Sequence, residues 1–124
     1  MPVDGANPAT AVLRLLGLAA RAGAILPGTE RVREAVRSGG ASFVLVAGDA
    51  SGNTRDKLIP LLQSRGVPHA LAYDRARLGG AVGRAPLGAV AVMDASFATR
   101  VRQLLAQAGT EQSVEGRRPR GAAE

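Results

Sequence analysis

Short apolar runs of strand length alternate with helix-patterned segments along most of the chain. This alternation limits the fold more than any other feature of the sequence. Phe43-Val44-Leu45-Val46-Ala47 is a continuous apolar run, the pattern of a buried strand. Gly88–Met93 reads the same way, and shorter strands are expected at Ala24–Leu26 and about Ala70–Tyr73. Asn7 can cap a first helix that has Pro8 at its favoured first position, carries Val12, Leu15, Leu16 and Ala19 at helical spacing, and ends at Gly23. Thr29 starts a second helix with Val32, Ala35 and Val36 inward, and Ser38-Gly39-Gly40 stops it. A third, capped by Ser51 or Asn53, carries Leu58, Ile59, Leu61 and Leu62 across Pro60 to Gly66-Val67-Pro68. Asp74 caps a short helix through Val82, weakened by Gly79 and Gly80, and Asp94 caps a last one with Phe97, Val101, Leu104 and Leu105 on one face. Alternation of this kind predicts an α/β domain with helices on both faces of a small sheet. The expected domain spans residues 7–108, between a flexible start (1–6) and a polar, charged, disordered tail (109–124).

Composition narrows the function classes. A chain of 124 residues makes one ordinary domain. It has no cysteine, which excludes disulfides, Cys-ligated metal sites and a thiol nucleophile. His69 is the only histidine, so a site with two histidine ligands is excluded as well. With Phe43, Phe97 and Tyr73 as the only aromatics, RNA binding by a row of stacked rings is not expected. The net charge is +6, and residues 1–108 carry thirteen basic and seven acidic side chains, so the excess sits on the folded body. A small basic domain attracts polyanions, most often nucleic acid; the plainer alternative is charge for solubility. The apolar runs are far too short to span a bilayer, and the N-terminus lacks the pattern of a signal segment. A cytoplasmic protein without membrane contact is expected.

No motif assembles a catalytic, metal or cofactor site. In Gly48-Asp49-Ala50-Ser51-Gly52-Asn53-Thr54 the Gly-Lys-Ser/Thr of a phosphate-binding loop is missing, and Gly79-Gly80-Ala81-Val82-Gly83 is not a dinucleotide fingerprint. Asp49, Asp74 and Asp94 sit where helix caps are expected, and His69 has no nucleophile near it in sequence. The second helix is more informative. Gly28-Thr29 offers free amides at its start, and Arg31, Arg33 and Arg37 follow beside Glu30 and Glu34. Amides, helix dipole and guanidinium groups together suit phosphate recognition. The same spacing also describes a solvent face laced with salt bridges, Glu30 with Arg33 among them. Spacing alone leaves both readings open.

The order of several segments resembles one family. Leu15-Leu16-Gly17-Leu18-Ala19-Ala20-Arg21-Ala22-Gly23, Pro27-Gly28-Thr29, Phe43–Ala47, Asp49-Ala50-Ser51-Gly52-Asn53-Thr54 and Leu78-Gly79-Gly80-Ala81-Val82-Gly83 are similar to the kink-turn-binding ribosomal-protein superfamily, in its bacterial YlxQ-like branch. The resemblance covers about residues 12–105 and implies a three-layer α/β/α sandwich with a four-stranded mixed sheet, no catalytic activity and no cofactor. It implies binding of structured, kink-turn-like RNA in the translation apparatus by a monomer. The implied contacts are Gly28, Thr29, Glu30, Arg31, Arg33 and Arg37 on the second helix, and Arg84, Ala85, Pro86 and Leu87 in an apolar loop that covers an unstacked base. After Gly-Thr, archaeal kink-turn binders carry Asn, Glu and, three residues further on, Lys; here Glu30, Arg31 and Glu34 stand there. Arg31 cannot accept hydrogen bonds as a carboxylate does, and Glu34 turns a negative charge toward phosphate. Because relatives in the stress-response group bind proteins through this fold, a protein-interaction module is the alternative expectation.

Overall fold

The two continuous apolar runs lie side by side in the centre of one sheet, in a computed structural model that describes residues 7–113. The elements follow in the order α1 (Pro8–Arg21), β1 (Ile25–Pro27), α2 (Thr29–Ser38), β2 (Phe43–Val46), α3 (Gly52–Arg65), β3 (His69–Leu71), α4 (Arg75–Ala81), β4 (Ala89–Val92) and α5 (Ala95–Gln107). The strand order is β1-β4-β2-β3. β4 runs antiparallel to both β1 and β2, while β2 and β3 are parallel, so the sheet is mixed as expected. Every residue of β2 and β4 is buried, which is why neither strand alternates polar with apolar.

Helices cover both faces. α1 packs against α5 and α4 in one layer, and α2 packs against α3 in the other. The caps are the expected ones. Asn7, Ser51, Asp74 and Asp94 each accept a backbone N–H in the first turn of α1, α3, α4 and α5. Gly39 and Gly66 close α2 and α3 in the left-handed conformation. α3 continues through Pro60, on its exposed side, with Leu58 and Leu62 buried beneath.

One boundary differs. Residues 109–113, read from their polarity as the start of the disordered tail, return to the domain. Ser113 and His69 exchange backbone hydrogen bonds of 2.9 and 2.7 Å, and the Gln112 amide donates to the Arg102 carbonyl at 2.9 Å. Polar residues are ordered here because the free edge of β3 offers unpaired main-chain groups. The expected flexible residues 1–6, and the tail from 114 onward, lie outside the described residues. No helix among the described residues is long and apolar enough to cross a membrane.

Candidate nucleic-acid interface

The start of α2 is an open helix N-terminus. Gly28 is its N-cap, with φ 100° and ψ 147°, and no side chain caps the helix. Gly28 N–H donates to the Ala89 carbonyl at 2.9 Å, and its own carbonyl accepts from Val32 at 2.9 Å. The amides of Thr29, Glu30 and Arg31 therefore have no intrahelical acceptor. The bond to Ala89 fixes this turn against the first residue of β4, which Gly88 separates from the 84–87 loop.

The loop reaches the same place from the other layer. Arg84 N–H donates to the Gly79 carbonyl at 2.8 Å, and Leu87 N–H to the Arg75 carbonyl at 3.0 Å. Next to Leu87, Gly88 lies against Thr29 and Thr54: a Cβ there would be 3.5 Å from Thr29 Oγ1 and 3.3 Å from Thr54 Cγ2. The Thr29 and Thr54 hydroxyls are 3.4 Å apart, and Ser51 Oγ donates to Thr54 Oγ1 at 3.2 Å. The N-termini of α2 and α3 and the end of the loop thus form one continuous surface. Arg84, Ala85 and Pro86 are exposed on it. Leu87 is half-buried and packs on the core, so it anchors the loop instead of lying open with Ala85 and Pro86.

The arginines of α2 do not form one patch. A helix turns about 100° per residue, so Arg31 and Arg33 point in nearly opposite directions. Arg31 and Glu34 flank a shallow depression with Leu26, Ala35, Ser38 and Met93. Glu30 and Arg33 face α3 instead. Arg33 Nη1 donates to Glu30 Oε1 at 2.9 Å, and Lys57 Nζ of α3 donates to Glu30 Oε2 at 3.2 Å. Lys57 first and Arg33 second hold the Glu30 carboxyl below its ordinary range. The Glu30–Arg33 pair that spacing allowed is therefore formed, and Arg33 has a side chain only 23% exposed. Arg37 is exposed at the far end of α2.

That Thr54, with Ser51 behind it, lies beside Thr29, and Lys57 against Glu30, was not readable in the sequence, because only the pairing of α2 with α3 brings them there. That Lys57 is the single lysine of the chain was its only visible mark. The other polar candidates are structural. Asp49 accepts from the Arg75 N–H at 2.8 Å and lies 3.5 Å from Arg75 Nε. His69 is buried, and its Nδ1 lies 2.8 Å from the Val67 carbonyl; since a carbonyl only accepts, Nδ1 carries the proton. No group of three or more His, Asp or Glu among the described residues could hold a metal ion.

Comparison with known proteins places the chain in a family. Residues 10–101 match the model of the ribosomal protein L7Ae/L30e/S12e/Gadd45 family. The chain is 37% identical over 91 residues to the RNA-binding protein YlxQ of Bacillus subtilis, covering 73% of this chain and 91% of that protein. It is 31% identical over 93 residues to RNA-binding protein YlxQ of Enterococcus faecium, covering 75% and 89%. A solved protein of unknown function from Bacillus halodurans superposes with a TM-score of 0.73 at 36% identity, covering 77% of this chain and 96% of that one. The Giardia lamblia 15.5kD RNA binding protein shares the fold at TM-score 0.65 and 22% identity, over 77% and 82% of the two chains. With its mixed sheet, open α2 N-terminus and adjoining loop, the chain belongs to the ribosomal protein L7Ae/L30e/S12e/Gadd45 family.

Proposed function

We propose that this chain is a non-catalytic RNA-binding protein that holds structured RNA of kink-turn type at the start of α2 and the 84–87 loop. One observation carries the reading: three uncapped amides open beside an exposed, small apolar loop that is hydrogen-bonded into place. Free amides at a helix N-terminus bind phosphate oxygens, and the guanidinium groups of Arg31 and Arg84 add charge-assisted contacts. Thr29 offers a hydroxyl. Ala85 and Pro86 suit the face of an unstacked base, with Leu87 holding the loop beneath them. The naming of the YlxQ relatives as RNA-binding proteins supports the same reading. RNA of the translation apparatus is the expected source, and a monomer suffices for the site.

The test is a titration with a labelled kink-turn hairpin and a plain duplex of equal length, between about 50 and 200 mM salt. Wild-type protein binds the kink turn more tightly. The Arg31→Ala/Arg84→Ala protein loses about two from the log–log salt slope, as for two lost phosphate contacts. Equal binding to both RNAs overturns the structural specificity, and no binding to either overturns the function.

A further inference from the structure

The proposed interface ends at the first turn of α2, but the charge does not. α2 and α3 lie side by side with their N-termini together at Thr29 and Thr54 and their C-termini together, where Arg65 Nη1 donates to the Arg37 carbonyl at 2.9 Å. The helices are therefore parallel neighbours, and four cations line the seam between them. Arg33 and Arg37 are one turn apart on α2, about 6 Å, and Lys57 and Arg65 are two turns apart on α3, about 12 Å. Glu30 is the one carboxylate bonded to any of them, and it is shared between Arg33 and Lys57. With Glu34 and Asp56 counted as well, the two helices carry six cations against three carboxylates, so the pair keeps a net positive charge.

Three of the four are held by the fold rather than waving in solvent. Lys57 and Arg33 are fixed through Glu30, and Arg65 by a main-chain carbonyl. Prior fixing lowers the entropy cost of gripping a ligand. The guanidinium of Arg37 makes no hydrogen bond or ion pair among the described residues, so its donors are available. On the other flank of α2, Arg31 lines the depression together with Glu34. Cations about 6 Å apart along α2 and about 12 Å apart along α3, with Glu30 as their one bonded carboxylate, suit a run of backbone phosphates.

We propose that the α2–α3 seam is a second contact surface, on which Arg33, Arg37, Lys57 and Arg65 track the phosphate backbone of an RNA stem leaving the α2 N-terminus. This rests on the RNA reading above and extends it to a helical stem, recognised by its backbone and not its sequence. Lys57 and Arg65 contribute nothing to the loop-and-amide site, so the two surfaces can be separated by RNA length.

The experiment uses two hairpins with the same kinked end, one with a stem of about six base pairs and one of about sixteen. Salt slopes are measured for wild type, Lys57→Gln/Arg65→Gln and Arg37→Gln, with circular dichroism as the folding check. Arg37→Gln removes no bond of the fold and covers the case in which the double variant is unstable. Wild type shows a steeper slope on the long stem. The double variant lowers that slope by about two and Arg37→Gln by about one, while the short-stem slope stays unchanged. If wild type binds both hairpins with one slope, or the variants leave the long-stem slope intact, the seam is not an interface although the RNA function stands. If wild type binds neither hairpin, the function itself fails and the seam with it.

Discussion

Gly28 joins fold and site in a single residue. Its φ of 100° with ψ of 147° lies in a region that side-chain-bearing residues hardly enter. Its N–H and carbonyl are both committed, to Ala89 and Val32, so the backbone cannot relax without opening either the β1–β4 end or the first turn of α2. A methyl group there meets no neighbour within 4 Å, so the penalty of Gly28→Ala is purely torsional. The expected loss is about 1–3 kcal/mol in urea unfolding, from strain alone. Because the strain falls on the turn that presents the Thr29–Arg31 amides, RNA affinity should drop at concentrations where the variant is still fully folded. An Ala variant as stable as wild type would mean that the turn adopts another conformation. The sequence marks this residue only as a glycine before a threonine; its torsion angles follow from the register of β1 on β4, which no local pattern states.

At the level of elements, α4 looks poorly made and is not. Two adjacent glycines in a seven-residue helix weaken it by propensity, by about 1 kcal/mol each relative to alanine. The structure separates their roles. A Cβ on Gly79 would run into the Ala85 carbonyl oxygen and lie 2.9 Å from the Arg84 carbonyl oxygen, whereas Gly80 has open space. Gly79 is the floor on which the 84–87 loop rests, and Arg84 N–H bonds to its carbonyl. Gly79→Ala must therefore push the loop off the helix, at about 1–3 kcal/mol for overpacking, which outweighs the helix propensity gained. Gly80→Ala keeps that gain and raises stability by about 0.5–1 kcal/mol. Thermal unfolding and RNA titration of the pair check this: Gly79→Ala loses both stability and affinity, and equal behaviour of the two would remove the loop's dependence on α4. Here the limits of the sequence become physical. The strands β2 and β4, the four side-chain caps and the helix-ending glycines were legible because each is set by neighbours in the chain. The 109–113 strap was not, since its order comes from the distant edge of β3. Nor was the choice between a phosphate-binding and a salt-bridged face at Glu30 and Arg33, since the Lys57 that shares Glu30 with Arg33 comes from α3, 27 residues along the chain.

In the whole molecule, the candidate interface draws on both helical layers. The α2 N-terminus belongs to the α2–α3 layer, and the 84–87 loop hangs from α4 in the layer of α1 and α5. The central sheet joins them, through the Gly28–Ala89 bond and through the Ala47 N–H, which donates to the Gly88 carbonyl at 2.9 Å. A ligand touching both sides therefore binds only the fully assembled domain, and its binding energy adds to global stability. RNA at about a hundred times its dissociation constant should raise the unfolding free energy by about 2.7 kcal/mol. For a domain of this size that corresponds to an upward shift in Tm of roughly 10 °C. Since affinity falls steeply with salt, raising salt from about 50 to 200 mM at fixed RNA should erase most of the shift, while the free protein changes little. Amide hydrogen exchange locates the effect. Protection should rise together in the core amides of β2, β4, α2 and α5, because all of them exchange through the same global opening. Protection confined to α2 would mean that the ligand holds one layer only and that the loop is not part of the interface.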